Sequence, residues 1–128
     1  MHHIEIYVRD LVKSKPFYSW LLETLDFKLF QEWNEGFSYR KNDFYLVFVQ
    51  VREKYKMSEY NRCHVGLNHL AFHCDSCEKI TMIREHMINH GVSLLYDDKY
   101  PHASGKQSYA LFFEDPDRIK IEIVWNKS

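Results

Sequence analysis

Glycine, proline and cysteine are all scarce in this chain of 128 residues, at four, three and three. So few Gly and Pro, with no low-complexity stretch, argue against disorder outside the polar, charged run 52–61. Three cysteines, an odd number in a chain this long, do not make a disulfide framework and point to the cytoplasm. Excess charge is missing as well: 17 Lys+Arg stand against 18 Asp+Glu, for a net charge of −1. That balance excludes the basic footprint needed by a dedicated nucleic-acid or anionic-membrane binder. No run approaches the roughly 18 apolar residues of a membrane span. At the N-terminus, Met1-His2-His3-Ile4-Glu5 places an acid where a signal peptide needs an unbroken apolar stretch. The class left standing is one domain over 1–128, large enough to bury a real core.

What the chain does have is histidine, eight in all, and aromatic residues at 16%. Their placement follows from the local patterns. Residues 3–9 alternate, with Ile4, Ile6 and Val8 opposite His3, Glu5, Tyr7 and Arg9, as in a half-buried strand. After Asp10 the spacing turns helical, with Phe17, Trp20, Leu21, Thr24 and Leu25 as the apolar stripe and Pro16 expected near the helix start. Strands are expected over 27–33, 37–40 and 44–51, with turns at 34–36 and 42–43. The run 52–66 has no clear period and reads as a linker. Beyond it, 67–74 reads as a strand, and Asp75 or Ser76 caps a helix whose stripe is Ile80, Ile83 and Met87. Gly91 is placed to end that helix in the left-handed conformation. Strands over 94–96, 108–114 and 119–125 follow, with an irregular loop at 97–107.

Each half therefore reads strand, helix, strand, strand, strand, which is an internal repeat. Module one is about 1–51, the linker 52–66 and module two 67–128. His3-Ile4-Glu5-Ile6 matches His69-Leu70-Ala71-Phe72 at an offset of 66, and the run 43–49 matches 118–124 at an offset of 75. The expected fold is α+β: two βαβββ modules with pseudo-twofold symmetry, forming a curved, partly open mixed sheet. Ile4/Ile6/Val8, Phe44/Leu46/Phe48, Leu70/Phe72/Cys74 and Ile119/Ile121/Ile123 form uniformly apolar faces that belong under the helices. The opposite faces carry His3, Glu5, Tyr7, Tyr45, Val47, His69, Ala71, His73, Lys120 and Glu122, and read as the lining of a cavity. With pseudo-twofold packing, His3, His69 and Glu122 converge, with Val47 in the fourth equivalent slot. Two imidazoles and one carboxylate suit a divalent first-row metal (Fe, Ni, Mn, Co or Zn) and leave positions open to substrate.

On these residues the chain resembles the vicinal oxygen chelate superfamily, which includes glyoxalase I, extradiol dioxygenases, fosfomycin-resistance transferases and bleomycin-binding proteins. The resemblance is carried by the run from His3 to Asp10, by Gly66-Leu67-Asn68-His69-Leu70-Ala71-Phe72, and most specifically by the tail from Phe112 to Glu122. It implies paired βαβββ modules and a divalent metal held by His3, His69 and Glu122. Two departures matter. Val47 occupies the slot where glyoxalase I commonly has a fourth protein ligand, and the family's Asp-Pro-Asp-Gly becomes Asp115-Pro116-Asp117-Arg118. The two-His-one-Glu set is closer to the dioxygenases and fosfomycin transferases.

Further residues fall around this set. Glu122 doubles as a potential base, and Glu5 is either a general base or a partner for a neighbouring His or Tyr. His73 is either a hydrogen-bonding partner, pocket wall or catalytic base, and His102 and Tyr109 flank the irregular loop as substrate-contact candidates. Tyr7, Tyr45 and Tyr109 are expected to line the pocket. His2 and His3 read either as the remnant of an affinity tag or as part of the fold, and the match of His3 to the repeat favours the second. His86 and His90 have metal-ligand spacing but no third ligand nearby, and read as a helix flank. Cys74-Asp75-Ser76-Cys77 is a formal C-x-x-C whose first cysteine faces the core. The expected function is a metal-dependent, cytoplasmic, homodimeric enzyme, of lyase/isomerase or ring-cleaving dioxygenase type, acting on a small oxygen-chelating substrate. The alternative is a non-catalytic protein of the same fold that sequesters a drug or antibiotic, as bleomycin-binding relatives do.

Overall fold

Alternating apolar residues make Ile6 and Val8 the buried side of the first strand, β1 (His3–Val8). Asp10 then stops the strand and caps α1 (Leu11–Thr24), its side chain accepting from the Val12 amide at 3.0 Å. Three strands follow: β2 (Lys28–Trp33), β3 (Gly36–Lys41) and β4 (Phe44–Gln50). The second half repeats the order with β5 (Leu70–His73), α2 (Cys77–Asn89), β6 (Leu94–Leu95), β7 (Ser108–Glu114) and β8 (Lys120–Asn126). The structure, a computed structural model, describes residues 1–126. The chain divides into two compact units, Met1–Glu59 and Tyr60–Ser128.

Each unit is one four-stranded sheet with one helix. The strand orders are β1-β4-β3-β2 and β5-β8-β7-β6, with the first pair of each parallel and the rest antiparallel. The two offsets found in the sequence carry over into the register. Ile4 pairs with Leu46 and Glu5 with Val47 in the first unit; Leu70 pairs with Ile121 and Ala71 with Glu122 in the second. The repeat is thus real at the level of individual residue pairs, and Val47 and Glu122 occupy the same slot.

The helix-side faces are buried as expected, including Val8, Leu46 and Phe48 in one unit and Leu70, Phe72, Ile121 and Ile123 in the other. Burying a side chain of this size stabilises by about 1.5–3 kcal/mol. Ile80, Ile83 and Met87 form the buried stripe of α2, as the spacing required. Ser76 caps that helix by accepting from the Lys79 amide at 3.1 Å, and Gly91 follows its end at φ 70°.

Several expectations are corrected. The buried stripe of α1 is Ser14, Tyr18, Leu21 and Leu22, one position out of phase with Phe17, Trp20 and Thr24. Aromatic residues on several sides of this helix leave its phase undetermined by periodicity. Pro16 lies inside the helix rather than at its start. β5 begins at Leu70 rather than 67, and β6 ends at Leu95 because Tyr96 turns left-handed at φ 56°. Short 3-10 turns occupy Glu53–Tyr55 in the linker and Asp97–Lys99 in the loop. Gly36 opens β3 where a Cβ would lie 2.5 Å from the Phe48 carbonyl oxygen, so no larger residue fits. Among the described residues, no helix is long and apolar enough to cross a membrane.

Candidate functional site

In the second unit, β8 presents Glu122 on the face opposite α2, since Ile121 and Ile123 take the helix side. Paired positions share a face, so Ala71 on β5 and Phe112 on β7 flank Glu122. The short Ala71 side chain stands beside Glu122, whose carboxylate turns toward His69. The His69 Nε2 atom stands 3.1 Å from Glu122 Oε1, and the Asn68 amide oxygen stands 2.8 Å from His69 Nδ1. Glu122 retains only 9% of its exposure.

This geometry constrains the protons. An Asn68 oxygen that accepts from Nδ1–H leaves the Nε2 lone pair aimed at a carboxylate oxygen. Two acceptors 3.1 Å apart are favourable only with a cation at the contact, either a proton or a metal ion. Metal bonds of about 2.1 Å at right angles set two donor atoms about 3 Å apart, so the pair also fits two neighbouring ligands of one ion. Asn68 supplies the outer hydrogen bond that metal-binding histidines normally make.

Lys120 lies on this same face, two residues before Glu122, and is as buried as Glu122. Its ammonium is 3.2 Å from the Tyr96 hydroxyl and lies over the rings of Tyr96 and Phe112, at 5.3 Å and 5.9 Å from their centroids. Phe112 also meets the edge of His69 at 6.2 Å. Sequence alone assigns no functional role to Lys120, Tyr96, Phe112 or Asn68. Strand parity places Lys120 beside Glu122, and that is the available signal.

The first unit carries the equivalent positions with different chemistry. His3 is exposed and stacks on Tyr45 at 4.7 Å, while His2 Nδ1 stands 2.7 Å from His3 Nδ1. Glu5 and Tyr7 are exposed on the same face, Tyr7 at 58%. Val47 is buried in the slot equivalent to Glu122. Among the described residues, no group of three or more His, Cys, Asp or Glu forms a metal-holding cluster. The second unit brings His69 and Glu122 together, and His3 belongs to the first unit.

The other predicted residues are placed as follows. His73 is exposed on the Glu122 face of β5, paired with Val124. His102 is exposed, with its Nδ1 3.0 Å from the Ser108 carbonyl. Tyr109 does not line this face. Its register partner is Trp125, which puts it on the helix side, and its hydroxyl is 3.1 Å from Thr81 of α2 and 3.2 Å from the Tyr100 hydroxyl. β7 buries both of its faces from Ala110 to Phe113, so alternation could not fix its phase. His86 and His90 stack at 4.0 Å on α2, and burial, then repulsion from His90, lower the His86 pKa. Cys63, Cys74 and Cys77 are free, with Cys74 buried.

The turn before β8 shows how the altered tetrapeptide keeps its shape. Asp115 Oδ1 accepts from the amides of Asp117 and Ile119, both at 2.8 Å. Arg118 adopts φ 68°, the left-handed conformation natural to glycine, at a cost of about 1–2 kcal/mol. Arg118 also joins Arg62 in ion-pairing Glu114, at 3.3 Å and 2.7 Å. The substitution changes the turn's chemistry and leaves Glu122 in register.

Comparison with known proteins agrees with this architecture. The family model for the Glyoxalase/Bleomycin resistance protein/Dioxygenase superfamily matches residues 1–123. The uncharacterized protein YqjT of Bacillus subtilis (strain 168) is 49% identical over 124 residues, covering 97% of both chains. A crystal structure described as a "putative glyoxalase" from Bacillus halodurans superposes with a TM-score of 0.93 at 44% identity, over 97% of this chain and 93% of that one. The fosfomycin resistance protein FosX from Mesorhizobium loti shares the fold at a TM-score of 0.68 and 16% identity, over 99% of this chain and 92% of that one. The doubled βαβββ frame and these matches identify the chain as a member of the Glyoxalase/Bleomycin resistance protein/Dioxygenase superfamily.

Proposed function

We propose that this protein is a divalent-metal-dependent enzyme whose small substrate chelates through adjacent oxygens, with His3, His69 and Glu122 as the protein ligands. The observation that carries the reading is the 3.1 Å contact of His69 with Glu122, backed by Asn68. A neutral imidazole and a carboxylate with free positions beside them suit Fe, Ni, Mn, Co or Zn. When bound, the ion supplies Lewis-acid polarisation of the substrate's oxygens. Glu122 offsets the charge, Asn68 holds His69 in the ligating tautomer, and the Phe112 ring walls the pair. Glu5 and His73 are the exposed groups free to take or deliver a proton at the substrate.

Val47 offers no fourth ligand, which disfavours a mechanism of the glyoxalase I type. The reaction classes open to the site are isomerisation, ring-cleaving oxygenation and addition of a nucleophile to an epoxide. The working form we propose is a cytoplasmic homodimer, in keeping with three free cysteines.

The test is metal content after anaerobic reconstitution, followed by a turnover screen on hemithioacetals, catechols and epoxides. Metal uptake falls to background in His69→Ala and Glu122→Gln, and Asn68→Ala weakens it by about tenfold. Equal metal content in wild type and His69→Ala would sink the ligand assignment. A ligand bound tightly and released unchanged, without metal uptake, would favour sequestration instead.

A further inference from the structure

Lys120 is a buried cation that, among the described residues, forms no ion pair with a carboxylate. Its register partner across the sheet is Glu114, but the ion pairs of Glu114 go to Arg62 and Arg118. The Lys120 ammonium has three donors, and among the described residues its one hydrogen-bond partner is the Tyr96 hydroxyl. Burying a charge is costly unless it is paired, and here one phenol and two ring faces do the pairing.

Tyr96 itself is held at φ 56° and ψ 31°, a backbone state that aromatic residues rarely adopt. That conformation sends the chain from β6 into the 97–107 loop with the phenol over Lys120. Strain of this kind persists only where the surroundings enforce it, and it concentrates at ligand-binding positions. Lys120 and Glu122 are alternate residues of one strand, about 7 Å apart along it and on one face. A ligand bridging the two positions has an anionic end and an oxygen-rich end.

We propose that Lys120, with Tyr96 and Phe112 around it, is the subsite for an anionic group, carboxylate or phosphonate, on the substrate. The bridging role rests on the reading of His69 and Glu122 as metal ligands. The anion subsite does not, and it can be measured alone. A purely structural lysine would contribute its aliphatic stem to packing and leave anion binding untouched.

The experiment is an NMR titration of the full chain in the presence of chelator, with acetate, methylphosphonate and neutral acetamide as probes. We expect saturable amide shifts around Tyr96, Phe112 and Lys120 for at least one anion, and none for acetamide. The anion that binds more tightly names the group. Lys120→Met keeps the stem and weakens that binding by about tenfold or more, the weight of a charge-assisted hydrogen bond. Lys120→Arg restores part of it. Glu122→Gln keeps or strengthens anion binding while abolishing metal uptake, so loss of the metal reading leaves this result standing. The proposal is overturned if neither anion saturates, or if Lys120→Met, with an otherwise unchanged spectrum, binds both as wild type does.

Discussion

Single side chains in this molecule are set by what lies across the sheet from them. Tyr100 is the clearest case away from the site. It is half-buried between α2 and β7, its hydroxyl donates to Tyr109 at 3.2 Å, and the Arg84 guanidinium lies 4.8 Å over its ring. Burial, then the bond to Tyr109, pushes its pKa from 10.0 up to about 12. A folded-state pKa above the unfolded value means the folded chain holds the proton more tightly. The resulting stability is therefore complete below pH 10 and is lost as pH rises toward 12. Titration followed by phenolate absorbance shows a late step that is missing in Tyr100→Phe. If the variant and wild-type curves superpose, Tyr100 is not the late-titrating group.

Among the elements, α2 shows how few residues specify a helix and its position. Ser76 caps it, Ile80, Ile83 and Met87 anchor it, and Gly91 releases it. Ser76→Ala lowers stability by about 1 kcal/mol, because the Lys79 amide loses its acceptor. Denaturant unfolding measures this, and an unchanged midpoint would show that another group takes over the cap. α1 lacks such clarity in sequence. Phe17, Tyr18 and Trp20 crowd three sides, and only the folded sheet selects Tyr18, which stacks on Phe48 at 4.1 Å. The same ambiguity hid the face of Tyr109, because β7 is apolar on both sides. Where one side of an element was polar, as in β1 and β5, period two fixed every residue's face. The faces of Glu122 and His69 are legible for that reason, whereas the left-handed turn at Tyr96 is one that no spacing reveals.

At the scale of the whole molecule, the chain is two units of similar plan joined through a polar segment. Arg52, Glu53 and Lys54 are exposed, and the Arg9 guanidinium donates to the Ser58 carbonyl at 3.0 Å. The sheets protect their own backbones, so trypsin cuts first at Arg52, Lys54 or Lys56 and yields two fragments near the unit boundary. Mass spectrometry of early digestion products checks this, and first cleavage within β4 or β8 would contradict it. The doubled plan also places its two face acids differently. Glu122 rides on an inner strand bonded on both sides, whereas Glu5 rides on β1, at the margin of its sheet. Marginal strands open locally at lower free energy than inner ones. The two acids therefore differ in mechanical setting, Glu122 on a stiff inner strand and Glu5 on a marginal strand that yields more readily.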